Sequence, residues 1–301
     1  MWGLNLTCLV CNPDSQLMER VVPNPLEARA RTAPAHAWGR TRSTLMALGI
    51  FVALMAAHVR AQGGPPMITD DPGTPGPNHW EVNLAWTDTA TPGSSEFGLP
   101  LIDANYGVGD RIQLNYQASW NIVRADGDTT SGYSNTQLAV KWRFYDAGEH
   151  NLQISMYPRL TFLDPGSASA RRGLADANTT FLLPFEFQKE FDWFAVNVDF
   201  GHIFCAHESA QGSEGSIYAV DRGWTGGLCI GREVKKNWEL DLEWHTTTDD
   251  RVGRSEQTVN LGSRIGVAEH ATILLAIGSD TSNTLGPRNS LLTYLGVQLT
   301  K

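Results

Sequence analysis

From residue 79 to the end of the chain, apolar and polar residues alternate with a period of two. Ile112, Leu114, Tyr116, Ala118, Trp120 and Ile122 interleave with Arg111, Gln113, Asn115, Gln117, Ser119 and Asn121. Trp238, Leu240, Leu242 and Trp244 interleave with Glu239, Asp241, Glu243 and His245. Successive side chains on a strand point to opposite faces, so every such segment has one oily and one polar face. Twelve segments follow the rule: 79–88, 99–108, 111–123, 134–145, 151–162, 179–189, 193–204, 217–234, 238–247, 256–267, 271–280 and 290–300. Short turns at 109–110, 146–150, 190–192, 235–237 and 268–270 alternate with longer polar links at 89–98, 124–133, 163–178, 205–216, 248–255 and 281–289. This layout predicts an all-β fold over 79–301, an up-and-down antiparallel transmembrane β-barrel of about 12 strands. A soluble lipocalin-like barrel would turn its oily face inward and needs only about eight strands. Seven of the eight tryptophans after residue 61 (80, 86, 120, 142, 224, 238 and 244) share the oily parity. Most lie near strand ends, where an amphipathic ring meets a headgroup boundary.

The N-terminal part lacks this periodicity. An apolar run over 45–57 follows Arg40 and Arg42, and Val59-Arg60-Ala61 precedes Gln62. A basic flank, a short oily stretch and an A-x-A-like site together predict a secretory signal peptide cut after Ala61. The run is too short to span about 30 Å of hydrocarbon as a helix. Residues 1–61 are thus an N-terminal extension plus leader. Gln62–Asn78, with four Gly and five Pro, forms a separate segment that either plugs the lumen or lines the periplasmic mouth. Cys8 and Cys11 fall in the leader part. Cys205 and Cys229 reach an oxidising compartment but stand about twelve residues out of register across one hairpin, so no disulfide is expected.

Composition narrows the partners. The net charge of −9 becomes −12 without the leader (17 Lys+Arg, 29 Asp+Glu), with no basic run. That disfavours nucleic acid, which needs a basic patch. The partners expected instead are outer-membrane lipid, the outer-membrane assembly machinery and small-molecule solutes.

The entry to the first strand reads Thr69-Asp70-Asp71-Pro72-Gly73-Thr74-Pro75-Gly76, then Trp80-Glu81. With Asn83-Leu84-Ala85 and the Gly107-Val108-Gly109-Asp110-Arg111-Ile112 turn, it resembles the meta-pathway phenol-degradation family of outer-membrane barrels. The resemblance implies a barrel in the outer membrane of a Gram-negative bacterium that moves small, phenol-like aromatic compounds. It transfers no catalytic residue. The last strand departs from the usual pattern of such barrels by ending Leu299-Thr300-Lys301 rather than on an aromatic residue.

Inward parity yields the candidate lumen lining: Arg111, Lys141, Arg143, Arg159 and Arg264 against Asp199, Glu239, Asp241 and Glu243, with Glu81, Asp103 and Glu186 as further carboxylates. The basic residues concentrate on the third to fifth segments and three carboxylates on the ninth, across the ring. That arrangement either sets a transverse field over an aqueous pore or fills the interior with ion pairs. His207 and Ser209 share a strand face, as the base and nucleophile of outer-membrane lipid hydrolases do, which keeps a hydrolase and a purely structural barrel as alternatives to a channel. Asp70-Asp71, Asp126-Gly127-Asp128 and Asp249-Asp250 are expected to be solvated loop carboxylates rather than Ca²⁺ ligands, and no cofactor or metal is implied. Gly226, Gly227 and Gly231 within one segment read as bends or points of close packing.

Overall fold

The computed structural model describes residues 62–148, 152–208, 217–250, 253–284 and 290–301, with backbone alone for 207–208 and 217–221. The leader, Cys8, Cys11 and Ser209 lie outside the described residues. The described strands are β1 (Trp80–Thr91), β2 (Ser94–Val108), β3 (Ile112–Ala125), β4 (Asp128–Tyr133), β5 (Thr136–Asp146), β6 (Gln153–Met156), β7 (Arg159–Phe162), β8 (Thr180–Glu190), β9 (Ala195–Glu208), β10 (Ile217–Lys235), β11 (Trp238–Asp249), β12 (Arg254–Ala268), β13 (Ala271–Asn283) and β14 (Leu291–Thr300).

These form twelve staves. β3 pairs first with β4 and then with β5, and β8 pairs with both β6 and β7, so β4–β5 and β6–β7 are each one interrupted stave. Every pairing is antiparallel, and β1 pairs with β14 from Glu81↔Thr300 to Ala90↔Leu291, closing the ring. Closure leaves no sheet edge, the condition for strands to cross a bilayer.

The barrel is inside-out. Leu84, Ile112, Leu114, Leu138, Val140, Leu242, Leu261 and Leu295 are exposed on its outer wall, while Asn83, Gln113, Asn115, Lys141, Glu243 and Asn260 are buried. In water, such an apolar wall would be a severe aggregation liability; lipid is its solvent. Aromatic rings mark both rims. Trp80 and Tyr106 pack at 4.7 Å at the short-turn end, and Trp120 and Tyr133 at 5.1 Å toward the other.

Several strands outrun the alternation. The links expected at 89–98 and 124–133 are hairpins, with β1–β2 turning at Pro92-Gly93 and β3–β4 at Asp126-Gly127. Asp126 and Gly127 take φ of 53° and 86°, the left-handed geometry whose twist matches two-residue hairpins. Their flanks are rich in Thr and Ser and lack an oily face, so periodicity stops before the ladder does. The fifth segment is broken at Tyr157-Pro158, because proline has no N–H for the ladder. Cys205 lies opposite Val220 and Cys229 opposite Asn197, nine positions apart along β10 rather than twelve, and no disulfide joins them.

Candidate functional site

Residues 62–78 enter the barrel from the short-turn end and fold back out, so that the chain carries a plug in its own lumen. The ascending arm lies on β11 and β12. Arg264 donates Nη2 to the carbonyls of Gly63 (2.8 Å) and Gly64 (2.6 Å) and Nε to that of Pro65 (3.1 Å). At the apex, the backbone N–H groups of Ile68 and Thr69 donate to the Glu243 carboxylate, which also accepts from Asn260 Nδ2. The descending arm meets the opposite wall. Asp70 Oδ1 takes Lys141 Nζ at 3.0 Å and Asp70 Oδ2 takes Arg159 Nη2 at 3.4 Å, and Lys141 also donates to the Asp71 carbonyl. The arms are tied together by the Gly63 N–H on Asp71 Oδ2 and by Gly64 N–H on the Thr69 carbonyl.

Packing seats the same segment. Met67 and Ile68 are buried with Ala85, Leu101, Cys229, Leu274, Ala276, Leu292 and Tyr294 in a small apolar cluster inside the barrel. Burying a side chain of this size contributes about 1.5–3 kcal/mol. Two wall glycines make room. A Cβ on Gly262 would stand 2.2 Å from Met67 Cε, and one on Gly227 would stand 2.1 Å from Thr69 Oγ1. The glycines of β10 thus include a docking point for the plug.

On the basic wall, Tyr157 is turned inward at the break between β6 and β7. Lys141 Nζ and Arg159 Cζ sit 4.7 and 4.3 Å from its ring centre. Glu186, fully buried, completes the group at 3.3 Å from each cation and accepts from Ser155 Oγ. Burial alone would raise the Asp70 carboxyl, but Lys141 and then Arg159 outweigh it and hold it below its ordinary value of 3.8. On the acidic wall, Glu239 and Asp241 share the Arg264 guanidinium at 3.2 and 2.9 Å.

The other candidates divide by position. Arg111 is exposed in the β2–β3 turn. Arg143 lies at the same rim, donating to the Asp110 carbonyl at 2.7 Å and 3.4 Å from Asp146. Asp103 accepts from Asn83 and Asn115 within the lumen. Asp199, 5% exposed, has an Oδ1 with no hydrogen-bond partner among the described residues. Asp70 and Asp71, expected as solvated loop carboxylates, instead anchor the plug: Asp70 pairs with cations from distant strands, and the Asp71 carboxylate accepts from the Gly63 and Gly73 N–H groups. Among the described residues no group of three or more His, Cys, Asp or Glu is arranged to hold a metal.

Above the plug apex lies a cavity of ≈ 210 Å³. Ile68, Leu101, Leu182, Pro184 and Ile203 give it apolar walls, and Gln117, Asn121, Gln137, Asp199, Arg222 and His245 give it polar ones. The link at 163–178 folds inward over it. Leu174 is fully buried, and Asp176 exchanges two 2.7 Å hydrogen bonds with Asn135. A second, smaller cavity of ≈ 40 Å³ lies against the plug, lined also by Glu81, Asp103, Lys141 and Tyr157.

Neither a protein-family model nor a curated protein matches the chain. Solved structures do. An outer membrane channel from Pseudomonas putida F1 superposes with a TM-score of 0.61 at 14% identity, covering 80% of this chain and 100% of that one. The NanC porin superposes at 0.51 with 6% identity, over 72% and 98%. The fold is therefore a closed 12-stranded antiparallel β-barrel similar to that of these outer-membrane proteins.

Proposed function

We propose that the protein is an outer-membrane channel through which small, phenol-like molecules pass passively, reaching the membrane after removal of a leader at Ala61. The observation that carries this reading is the cavity above the plug. Drug-sized ligands occupy pockets of about 300–1,000 Å³, so 210 Å³ suits a solute of about one ring. Its apolar walls suit the ring, and Gln117, Asn121, Asp199 and His245 among its polar ones suit a hydroxyl. The resemblance of the Thr69–Gly76 stretch to the meta-pathway phenol-degradation family supports the same solute class. Lys141, Arg159, Asp199, Glu239, Asp241, Glu243 and Arg264 line the path in this reading, the first two and the last holding the plug across it.

The test is solute flux into proteoliposomes. Phenol and catechol should equilibrate faster than in protein-free vesicles, and Asp199→Leu should lower the catechol rate more than that of toluene. Rates equal to those of protein-free vesicles for every solute would overturn the reading.

A further inference from the structure

The Ala61–Gln62 bond and the acidic wall of the barrel meet at one atom. The sequence places the leader cut between Ala61 and Gln62, and the fold independently sets the backbone nitrogen of Gln62 2.8 Å from Glu239 Oε1. In an uncut chain that nitrogen is a neutral amide. Hydrolysis by a leader peptidase adds water across the bond, leaving a carboxylate on Ala61 and an α-amino group on Gln62. With an ordinary pKa of about 7.7–8.0, that amine is largely protonated at neutral pH. Glu239 and Asp241 otherwise share a single guanidinium, and Arg264 spends two of its N–H groups on the carbonyls of Gly63 and Gly64. A second cation at Gln62 would bring that cluster of two carboxylates into balance. Gln62 itself is exposed at the short-turn mouth, so an ammonium there keeps part of its hydration.

We infer that the α-ammonium created at Gln62 by leader removal pairs with Glu239 and latches the plug, so that the plug is held most firmly in the processed chain. The inference rests on the export reading and adds to it a role for the new N-terminus. Cyclisation of an N-terminal glutamine would unlatch it. The α-amine attacks the side-chain amide carbon, ammonia leaves, and the charge is lost while one N–H remains.

Cys229 supplies the readout, being fully buried in the Met67–Ile68 cluster beneath the plug. Protein with Cys205→Ala is purified from the outer membrane, and intact mass reads its N-terminus. Charged and uncharged forms, the latter cyclised or acetylated at the α-amine, are then labelled at Cys229 with a small maleimide. Labelling through local opening should be about two- to fivefold faster for the uncharged forms. Glu239→Gln should speed labelling of the charged form alike and speed the uncharged ones less, because Glu239 also pairs with Arg264 in every form. Equal rates for charged and uncharged termini, or additive effects of the two changes, would overturn the latch while leaving the channel reading intact. An N-terminus other than Gln62 would overturn both the latch and the processing site. The comparison of N-terminal forms uses a single sequence, so it stands even if Glu239→Gln fails to fold.

Discussion

Arg264→Met isolates the strongest tie between plug and wall. The substitution keeps the aliphatic stem and removes three hydrogen bonds to the carbonyls of Gly63, Gly64 and Pro65, together with the pairs to Glu239 and Asp241. With the plug seated, those groups are left buried and unpaired; with the plug withdrawn, water enters and hydrates them. Losing one member of a buried ion pair costs about 3–5 kcal/mol, nearly all of it charged here to the seated state. At 1.4 kcal/mol per decade, the seated–withdrawn equilibrium should move by about two to three and a half powers of ten. The ties of Glu243 to Ile68 and Thr69, and of Lys141 to Asp70, remain and oppose withdrawal. Conductance in planar bilayers should rise, with long open episodes, while heat-modifiable mobility in detergent stays that of the wild type. A folded Arg264→Met protein whose conductance and Cys229 labelling match the wild type would refute the reasoning.

Two further outcomes follow from facing and charge. Leu242, 46% exposed on the outer wall, should not tolerate arginine: Leu242→Arg costs roughly 2–4 kcal/mol near the bilayer midplane and should abolish heat-modifiable folding. Gln137→Arg, aimed at the cavity, should fold and change ion preference instead; equal tolerance at the two sites would contradict the assigned faces. Acid should loosen the plug through Asp70. Its pKa is depressed on folding, so its contribution is fully present above the unfolded value and is lost as pH falls through the folded one. Conductance governed by this group should therefore be steady from about pH 5 upward and rise below about pH 4, and Asp70→Asn should remove that rise. A wild-type profile that stays flat down to pH 3 would contradict it.

The staves were legible because lipid imposes a strict rule. An outward residue must be apolar, and stretches such as 112–122 and 238–244 obey it position by position. The rule lapses where strands leave the hydrocarbon, which is why Thr89–Thr91 and Asp128–Tyr133 looked like loops although their backbones still pair. The ring of candidate charges was legible by parity, but their partners were not. Asp70 finds Lys141 71 positions away and Arg159 89 positions away, and Gln62 finds Glu239 177 positions away. Nothing local in Gly63–Gly76 distinguishes a strap at the mouth from a plug in the lumen. The clue lay in the wall, where Gly227 and Gly262 occupy positions that could have carried side chains.

The central claim, a channel narrowed by its own N-terminal segment, is tested most directly by single-channel recording of the processed protein beside a form lacking residues 63–75. The wild type should show small, rarely interrupted currents, and the shortened barrel a several-fold larger steady conductance with unchanged heat-modifiable mobility. Identical conductances in two folded proteins would contradict the account, because the segment would then obstruct nothing.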